Sequence, residues 1–210
     1  MKKKDEISSE EKVIAAAVTE FAAHGYDGAR VDVIAEKAEV NKAMIYYHFK
    51  SKEMLYERIL KDITEDIFSR IQESAVGDGD PLDVFYSIIN GYIKMLNSFD
   101  RAVLQIMLRE MASGGVHFRK IAIPSLAVPV LSLIEPLIKS AMEKGRMRKV
   151  NPYYTFLQII GGIIFFNIMK IPMEGSVLEK TVFKEGYLEE FSENLFKILK
   201  NGLEIKDGNL

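Results

Sequence analysis

RVDVIAEKAEVNKAMIYYHFKSK, residues Arg30 to Lys52, holds two short helical patterns separated by a turn. In the first, Val31, Ile34, Ala35 and Ala38 recur at helical spacing, so one face is apolar while Asp32, Glu36 and Lys37 meet water. In the second, Ile45 and Phe49 stand one helical turn apart and can bury together, which leaves Lys42, Ala43, Met44, Tyr46, Tyr47 and His48 around the remaining surface. Neighbouring residues on a helix point about 100° apart, so Tyr46 and Tyr47 cannot both face a core and at least one phenol is wet. A short packed helix, a tight turn and a second, mostly exposed helix make a helix-turn-helix, the arrangement that presents one helix to the DNA major groove.

The flanks extend the pattern. Ser8-Ser9-Glu10-Glu11 offers a capping box, with Ser8 as N-cap and Glu11 at N3, ahead of the stripe Ile14, Ala17, Val18, Phe21, Ala22. That helix is predicted to end near His24-Gly25, with Gly25 as a left-handed C-cap. Ser51 caps a longer helix in which Met54, Leu55, Ile59 and Ile63 recur, running to Ser74. The expected organisation is therefore all-α: a three-helix domain over residues 1–52, a linking helix over 51–75, and a helical domain over 53–210. The loop Val76-Gly77-Asp78-Gly79-Asp80-Pro81, rich in helix breakers, is the natural break. A domain of about 50 residues buries too little surface to be stable alone, so it should lean on the rest of the chain.

The run KVIAAAVTEFAAHGYDGARVDVIAEKAEVNKAMIYYHFKSKEMLYERIL resembles the DNA-binding domain of the tetracycline-repressor (TetR) family. Phe21 through Gly25-Tyr26, then Ile34-Ala35, then Ile45 to Lys52 stand in that family's order and spacing, over roughly residues 10 to 60. The resemblance implies an all-helical homodimer on a palindromic double-stranded operator, usually repressing, and released when a small molecule binds the C-terminal domain. It implies that Asn41, Lys42, Ala43 and Met44 open the recognition helix, with the last three approaching base edges. Tyr46, Tyr47, His48 and Lys50 would contact the backbone, Lys52 a phosphate, and Arg30 would reach one from the start of the preceding helix. Three positions depart from the family pattern. Arg30 stands where a capping Thr or Ser is usual and cannot cap; Glu39 stands where Gly is usual in the turn; Ala43 replaces a common Gly and adds a methyl group.

Charge supports this only locally. The chain of 210 residues carries a net charge of −2, so no global field draws nucleic acid. Between Val40 and Lys52, however, there are three lysines and no acid, and Lys2-Lys3-Lys4 forms a basic arm or a plain solvated terminus. Such binding predicts affinity that falls with salt. There is no cysteine, hence no disulfide or thiolate metal site. The lysine-rich N-terminus is no signal peptide, and a cytoplasmic protein is expected.

Asn151 to Met169 runs without a charge and approaches the length of a membrane span. Gln158, Asn167, Pro152 and the lack of a second such segment argue instead for a helix buried on most sides, capped by Asn151 with Pro152 at N1. Gly161 and Gly162 would let another helix approach. With Leu188, Phe191, Leu195 and Phe196 of a helix over residues 186–202, they are the candidate dimer contacts, a location the family resemblance supplies. An effector region is expected around helices near 82–99 and 101–112, where Phe85, Tyr92, Met95, Met107 and Met111, with Gln158 and Phe165, could line an adaptable apolar pocket for a hydrophobic or amphipathic ligand. For each Met or Phe taken singly core packing is the stronger reading, and Asn90, Asn97, Gln105, Arg109 and Gln158 could orient a ligand or satisfy the backbone or one another. Pro124, Pro129 and Pro136 predict a kinked or broken helix over 121–138. His24, His48 and His117 are the only histidines and no pair has metal-ligand spacing; there is no GxxxxGK[ST] and no GxSxG. No catalysis, metal or cofactor is expected. The alternatives are a DNA-binding protein without a small-molecule effector, whether architectural or governed by a partner, and a transcriptional activator.

Overall fold

Ser8 begins the first helix as its residue pattern predicts. Its hydroxyl accepts from the Glu11 N–H while the Glu11 carboxylate accepts from the Ser8 N–H, a complete capping box at the head of α1 (Ser9–Gly28). The computed structural model describes residues 8–75 and 79–205, so Lys2–Lys4 and Val76–Asp78 of the expected loop lie outside the described residues. The chain continues through α2 (Val31–Lys37), α3 (Lys42–Phe49), α4 (Lys52–Ser74), α5 (Pro81–Ser98), α6 (Arg101–Ala112), α7 (Val116–Lys120), a π-helical turn (Ile123–Ala127), α8 (Val128–Glu143), α9 (Pro152–Met173), α10 (Val177–Val182) and α11 (Tyr187–Leu203). Among the described residues the only extended pairing is an isolated bridge between Met147 and Glu204, and the fold is all-α as expected.

Two units pack separately, one from the described residues up to Asp66 together with Phe99–Ala127, the other from Ile67–Ser98 and the described residues from Val128 on. This line differs from the expected split after residue 52. The reason lies in what the small N-terminal unit needs. Its core of Val13, Ala17, Phe21, Ile34, Ile45, Phe49, Leu55, Tyr56, Ile59 and Leu60 is completed by Ile106 of α6. Arg109 of α6 donates through Nε to the Ala22 carbonyl and through Nη2 to that of Ala23, each at 2.8 Å. These carbonyls need donors because α1 kinks at Gly25, whose φ of 70° and ψ of 179° interrupt the helical ladder before it resumes to Gly28. Gly25 therefore marks a kink inside the helix, where a C-cap was expected. Of the two roles open to Arg109, the structure gives it that of satisfying backbone.

Glu110, next in α6, is buried and accepts from the Tyr56 hydroxyl and from the N–H groups of His117 and Phe118, at 3.1, 2.7 and 3.0 Å. One carboxylate thus joins α4, α6 and the start of α7, and it satisfies the amides that open that helix.

In the second unit α5 packs on α8 and α9, and α10 on α9. Asn151 caps α9 by accepting from the Tyr153 and Tyr154 N–H groups, with Pro152 at the first position. The expectation that this helix is buried on most sides needs correction. Phe156, Ile159, Ile163 and Asn167 form one buried face, whereas Tyr154, Leu157, Gly161, Gly162 and Phe165 are exposed. Asn167 satisfies itself by donating to the Ile163 carbonyl at 2.9 Å. A second correction concerns uniqueness: Ile123–Glu143 as well as Pro152–Met173 is long and apolar enough to cross a membrane by length and composition. Of the prolines that predict a kinked or broken helix over 121–138, Pro124 falls in the π-helical turn that interrupts the α-helical run, whereas Pro136 is accommodated within α8. Glu135 and Lys139 pair on α8 at 2.7 Å, and Glu135 also accepts from the Tyr153 hydroxyl of α9.

Gly25→Ala should cost about 1–3 kcal/mol, since a side chain at that φ is strained even where space is open. Denaturant unfolding of the variant checks this.

Candidate nucleic-acid interface

A helix as short as α3 is held by whatever buries its inner face. Ile45 is fully buried and Phe49 nearly so, both in the first unit's core. Asn41 caps the helix by accepting from the Ala43 N–H at 2.9 Å, which occupies the side chain expected to help bind DNA. Lys42 and Ala43 are exposed, as are Met44 at 37%, Tyr46 at 42% and Tyr47 at 69%, so both phenols are wet and the whole outer face is open.

The cations around this face are already engaged. Lys42 pairs with Asp32 of α2 at 2.6 Å; the hydrogen bond holds the Asp32 carboxyl below, and the Lys42 ammonium above, its ordinary range. Lys50 donates to the Tyr47 carbonyl at 3.0 Å and lies 5.7 Å from that ring's centre. Lys52 donates to the Asp27 carbonyl at 3.2 Å with its ammonium 4.9 Å from the centre of the Tyr26 ring. Half-buried His48 has Nε2 at 3.1 Å from Ser9 Oγ, tying α3 to the head of α1. Glu39, at the turn position where the family usually has Gly, has φ 55°, and Lys50 has φ 64°, a strain the sequence did not signal; both lie outside the region comfortable for side chains.

Arg30 is the N-cap residue of α2 and makes no side-chain cap, as its chemistry requires. What secures α2 instead is Glu20 of α1, a residue the sequence pattern did not single out. Its carboxylate is nearly inaccessible, accepts from the Arg30 N–H at 3.4 Å and pairs with Lys37 Nζ at 2.8 Å. One buried acid thus fastens both ends of the seven-residue α2, which packs against α3. The Lys37 hydrogen bond is the largest cause holding its carboxyl below the usual value of 4.5. Glu20 follows Ala16 and Ala17 at helical spacing on the buried face, and a lone acid on an apolar stripe was the available signal.

The residues expected to line an effector pocket are divided between the two units. Phe85 and Met95 are core residues of the second unit, with Tyr92 half-buried beside them on α5. Gln158 and Phe165 stand on the exposed face of α9 and so point away from that core. Met107 packs against the first unit's core and Met111 is 63% exposed. A cleft of about 490 Å³ in the first unit is lined by His24, Tyr26, Tyr56, Arg109, Glu110 and His117 among others. Of the expected dimer contacts, Gly161 and Gly162 are open, with no atom of the described residues within 4 Å of an added Cβ. Leu188 and Leu195 are half-buried. Phe191 stacks on Phe166 of α9 with centroids 4.0 Å apart, and Phe196 meets Tyr86 of α5 edge-on at 5.7 Å. Those two rings are engaged within their own chain, because α11 turns its aromatic side toward α9 and α5.

Residues 13–59 match the profile of the bacterial regulatory proteins, tetR family. Over 201 residues the chain is 25% identical to the HTH-type transcriptional regulator RutR of Escherichia coli O157:H7, covering 94% of this chain and 92% of that protein. It is 32% identical over 83 residues to the biofilm operon icaADBC HTH-type negative transcriptional regulator IcaR of Staphylococcus aureus (strain Newman), which is 40% of this chain and 45% of that one. Among solved structures, the transcriptional regulator FadR from Bacillus subtilis in complex with stearoyl-CoA has the same fold, with a TM-score of 0.70 at 19% identity over 91% of this chain and 97% of that one.

Because the Glu20 carboxyl titrates below its ordinary value in the folded chain, its ion pair stabilises fully above pH 4.5 and is lost as pH falls through the folded value. Glu20→Gln should cost about 1–3 kcal/mol at neutral pH and should flatten the loss of stability below pH 4.5, as followed by thermal unfolding across a pH series.

Proposed function

From the premise that this chain belongs to the tetR family of bacterial regulatory proteins, we propose that it acts in the cytoplasm as a ligand-responsive repressor, binding a palindromic double-stranded operator as a homodimer. The observation that carries the reading is the two-sidedness of α3, with Ile45 and Phe49 locked in the core and Lys42, Ala43, Met44, Tyr46 and Tyr47 bare. Lys42, Ala43 and Met44 read base edges, while Arg30, Tyr46, Tyr47, His48, Lys50 and Lys52 position the helix on the backbone. Asn41 contributes by holding the first turn of α3. Repression follows the sense of the regulator IcaR, named a negative one. No step of this role is catalytic.

A homodimer is needed to place two recognition helices about 34 Å apart, in successive turns of the groove. The bare face of α9, with Tyr154, Leu157, Phe165 and the open Gly161-Gly162 pair, supports a partner helix there. The effector is hydrophobic or amphipathic, in keeping with the stearoyl-CoA bound by FadR. Ligand-induced movement around Pro124 to Pro136 would reach the recognition helices through α4, which is tied to the π-helical turn by Thr64 Oγ1 and Ser125 Oγ at 2.8 Å. The core packing of Phe85 and Met95 favours a second reading, a DNA-binding regulator controlled by a protein partner. Titration of the protein–operator complex with stearoyl-CoA and other apolar compounds separates the two, since the effector reading requires release by at least one of them.

Selection from random duplexes should return a palindrome, with affinity falling by several log units per log unit of salt. Lys52→Ala and Tyr47→Phe should weaken binding to all duplexes alike, whereas Met44→Ala should change the preferred sequence. Asp32→Asn, which frees Lys42 from its pair, should tighten binding several-fold at low salt. An unchanged affinity in the Lys52 and Tyr47 variants, measured by fluorescence anisotropy, would count against this placement of the duplex.

A further inference from the structure

Glu53 and Glu57 lie one turn apart on α4, and His117 of α7 meets them across the first unit. Their ligand-capable atoms lie within 4.8 Å of one another. Each has a distinct environment: Glu53 is about half exposed, the Glu57 side chain is 15% exposed and His117 is nine-tenths buried.

The imidazole is held from several sides. Its backbone N–H is fixed by Glu110, and its ring packs against those of Tyr26 and Tyr56, with centroids 4.6 and 5.2 Å away. The ring nitrogen Nδ1 is nonetheless buried without a hydrogen-bond partner. It faces Glu57 Oε1 at 3.6 Å, too long for a hydrogen bond. In the tautomer with its proton on Nε2, this orphaned nitrogen offers a lone pair beside two carboxylates, all within 4.8 Å of one another. Ligand atoms around a tetrahedral zinc lie about 3.3 Å apart, so small side-chain rotations bring these three into register.

The charge at this point also asks for a cation. Lys120, the last residue of α7, sends its ammonium to Glu57 and to within 3.9 Å of Glu53. Its side chain is 59% exposed on a flexible stem and can swing into water. In this arrangement Lys120 is turned to the carboxylates and makes no hydrogen bond to Nδ1, which keeps no partner.

We propose that Glu53, Glu57 and His117 Nδ1 bind a divalent transition-metal ion of the zinc type, displacing Lys120 and clamping the start of α4 to α7. One imidazole and two carboxylates favour zinc, cobalt or manganese over calcium or magnesium, which prefer all-oxygen sets. A water completes the coordination. This clamp is separate from the operator reading, since it needs neither DNA nor an apolar ligand.

The test is titration of untagged, chelator-stripped full-length protein with cobalt(II), read by its visible ligand-field bands and by calorimetry, with zinc as competitor. One ion per chain is expected, expelled by zinc. Glu57→Gln and Glu53→Gln, both near-isosteric, should each weaken binding by at least about tenfold with the circular dichroism spectrum unchanged. Lys120→Met should tighten it, because the internal competitor is gone. Cobalt binding that survives both glutamine variants, or that is absent from the Lys120→Met protein as well as the parent, overturns the proposal. Operator affinity measured on the same samples keeps the two readings apart.

Discussion

An eight-residue helix does not hold its own shape in water, and every outward-facing residue of α3 depends on how Ile45 and Phe49 are gripped. Both side chains enter a core built by α1, α2 and α4 and completed by Ile106 of α6. With the inner face fixed, the orientation of Met44, Tyr46 and Tyr47 toward solvent follows from helical geometry alone. The strain at Glu39 and Lys50, each at positive φ, is carried by the same grip, which sets the angle at which α3 leaves the turn.

Two buried carboxylates provide the remaining fixings. Glu20 fastens α2 to α1 at both ends, and Glu110 joins α4, α6 and α7. Short helices leave many terminal amides without partners, and a buried acid that accepts several of them satisfies donors that apolar packing cannot. Arg109 does the complementary task for the carbonyls released at the Gly25 kink. The small unit therefore gains from α6 both apolar surface and hydrogen-bonding groups, which explains why Phe99–Ala127 packs with a domain so far upstream.

α9 shows the opposite economy. It is apolar nearly all round, yet one chain covers only the face with Phe156, Ile159 and Ile163. Its bare side holds Tyr154, Leu157 and Phe165 beside two glycines at which an added Cβ would meet no described atom within 4 Å. Apolar surface gathered on one stripe is what a packing partner removes from water. The aromatic rings of α11, in contrast, find their contacts inside the unit, on Phe166 and Tyr86.

Local chemistry made much of this legible in advance. The capping box at Ser8, the caps at Ser51 and Asn151, the strained turn at Glu39 and the pairing of Ile45 with Phe49 depend on residues close in sequence, so spacing determined them. The family resemblance was likewise carried by a continuous run. Contacts between distant residues had no such signature. Glu20 with Arg30 and Lys37, Glu110 with Tyr56 and His117, Arg109 with α1, and the meeting of Glu53, Glu57 and His117 became visible only when the chain folded. Periodicity tells which face of a helix is apolar, but not which neighbour will cover it. For that reason the sequence by itself determined the helices and the exposed character of α3, whereas tertiary packing decided that α6 serves the N-terminal unit and that α9 keeps one face bare.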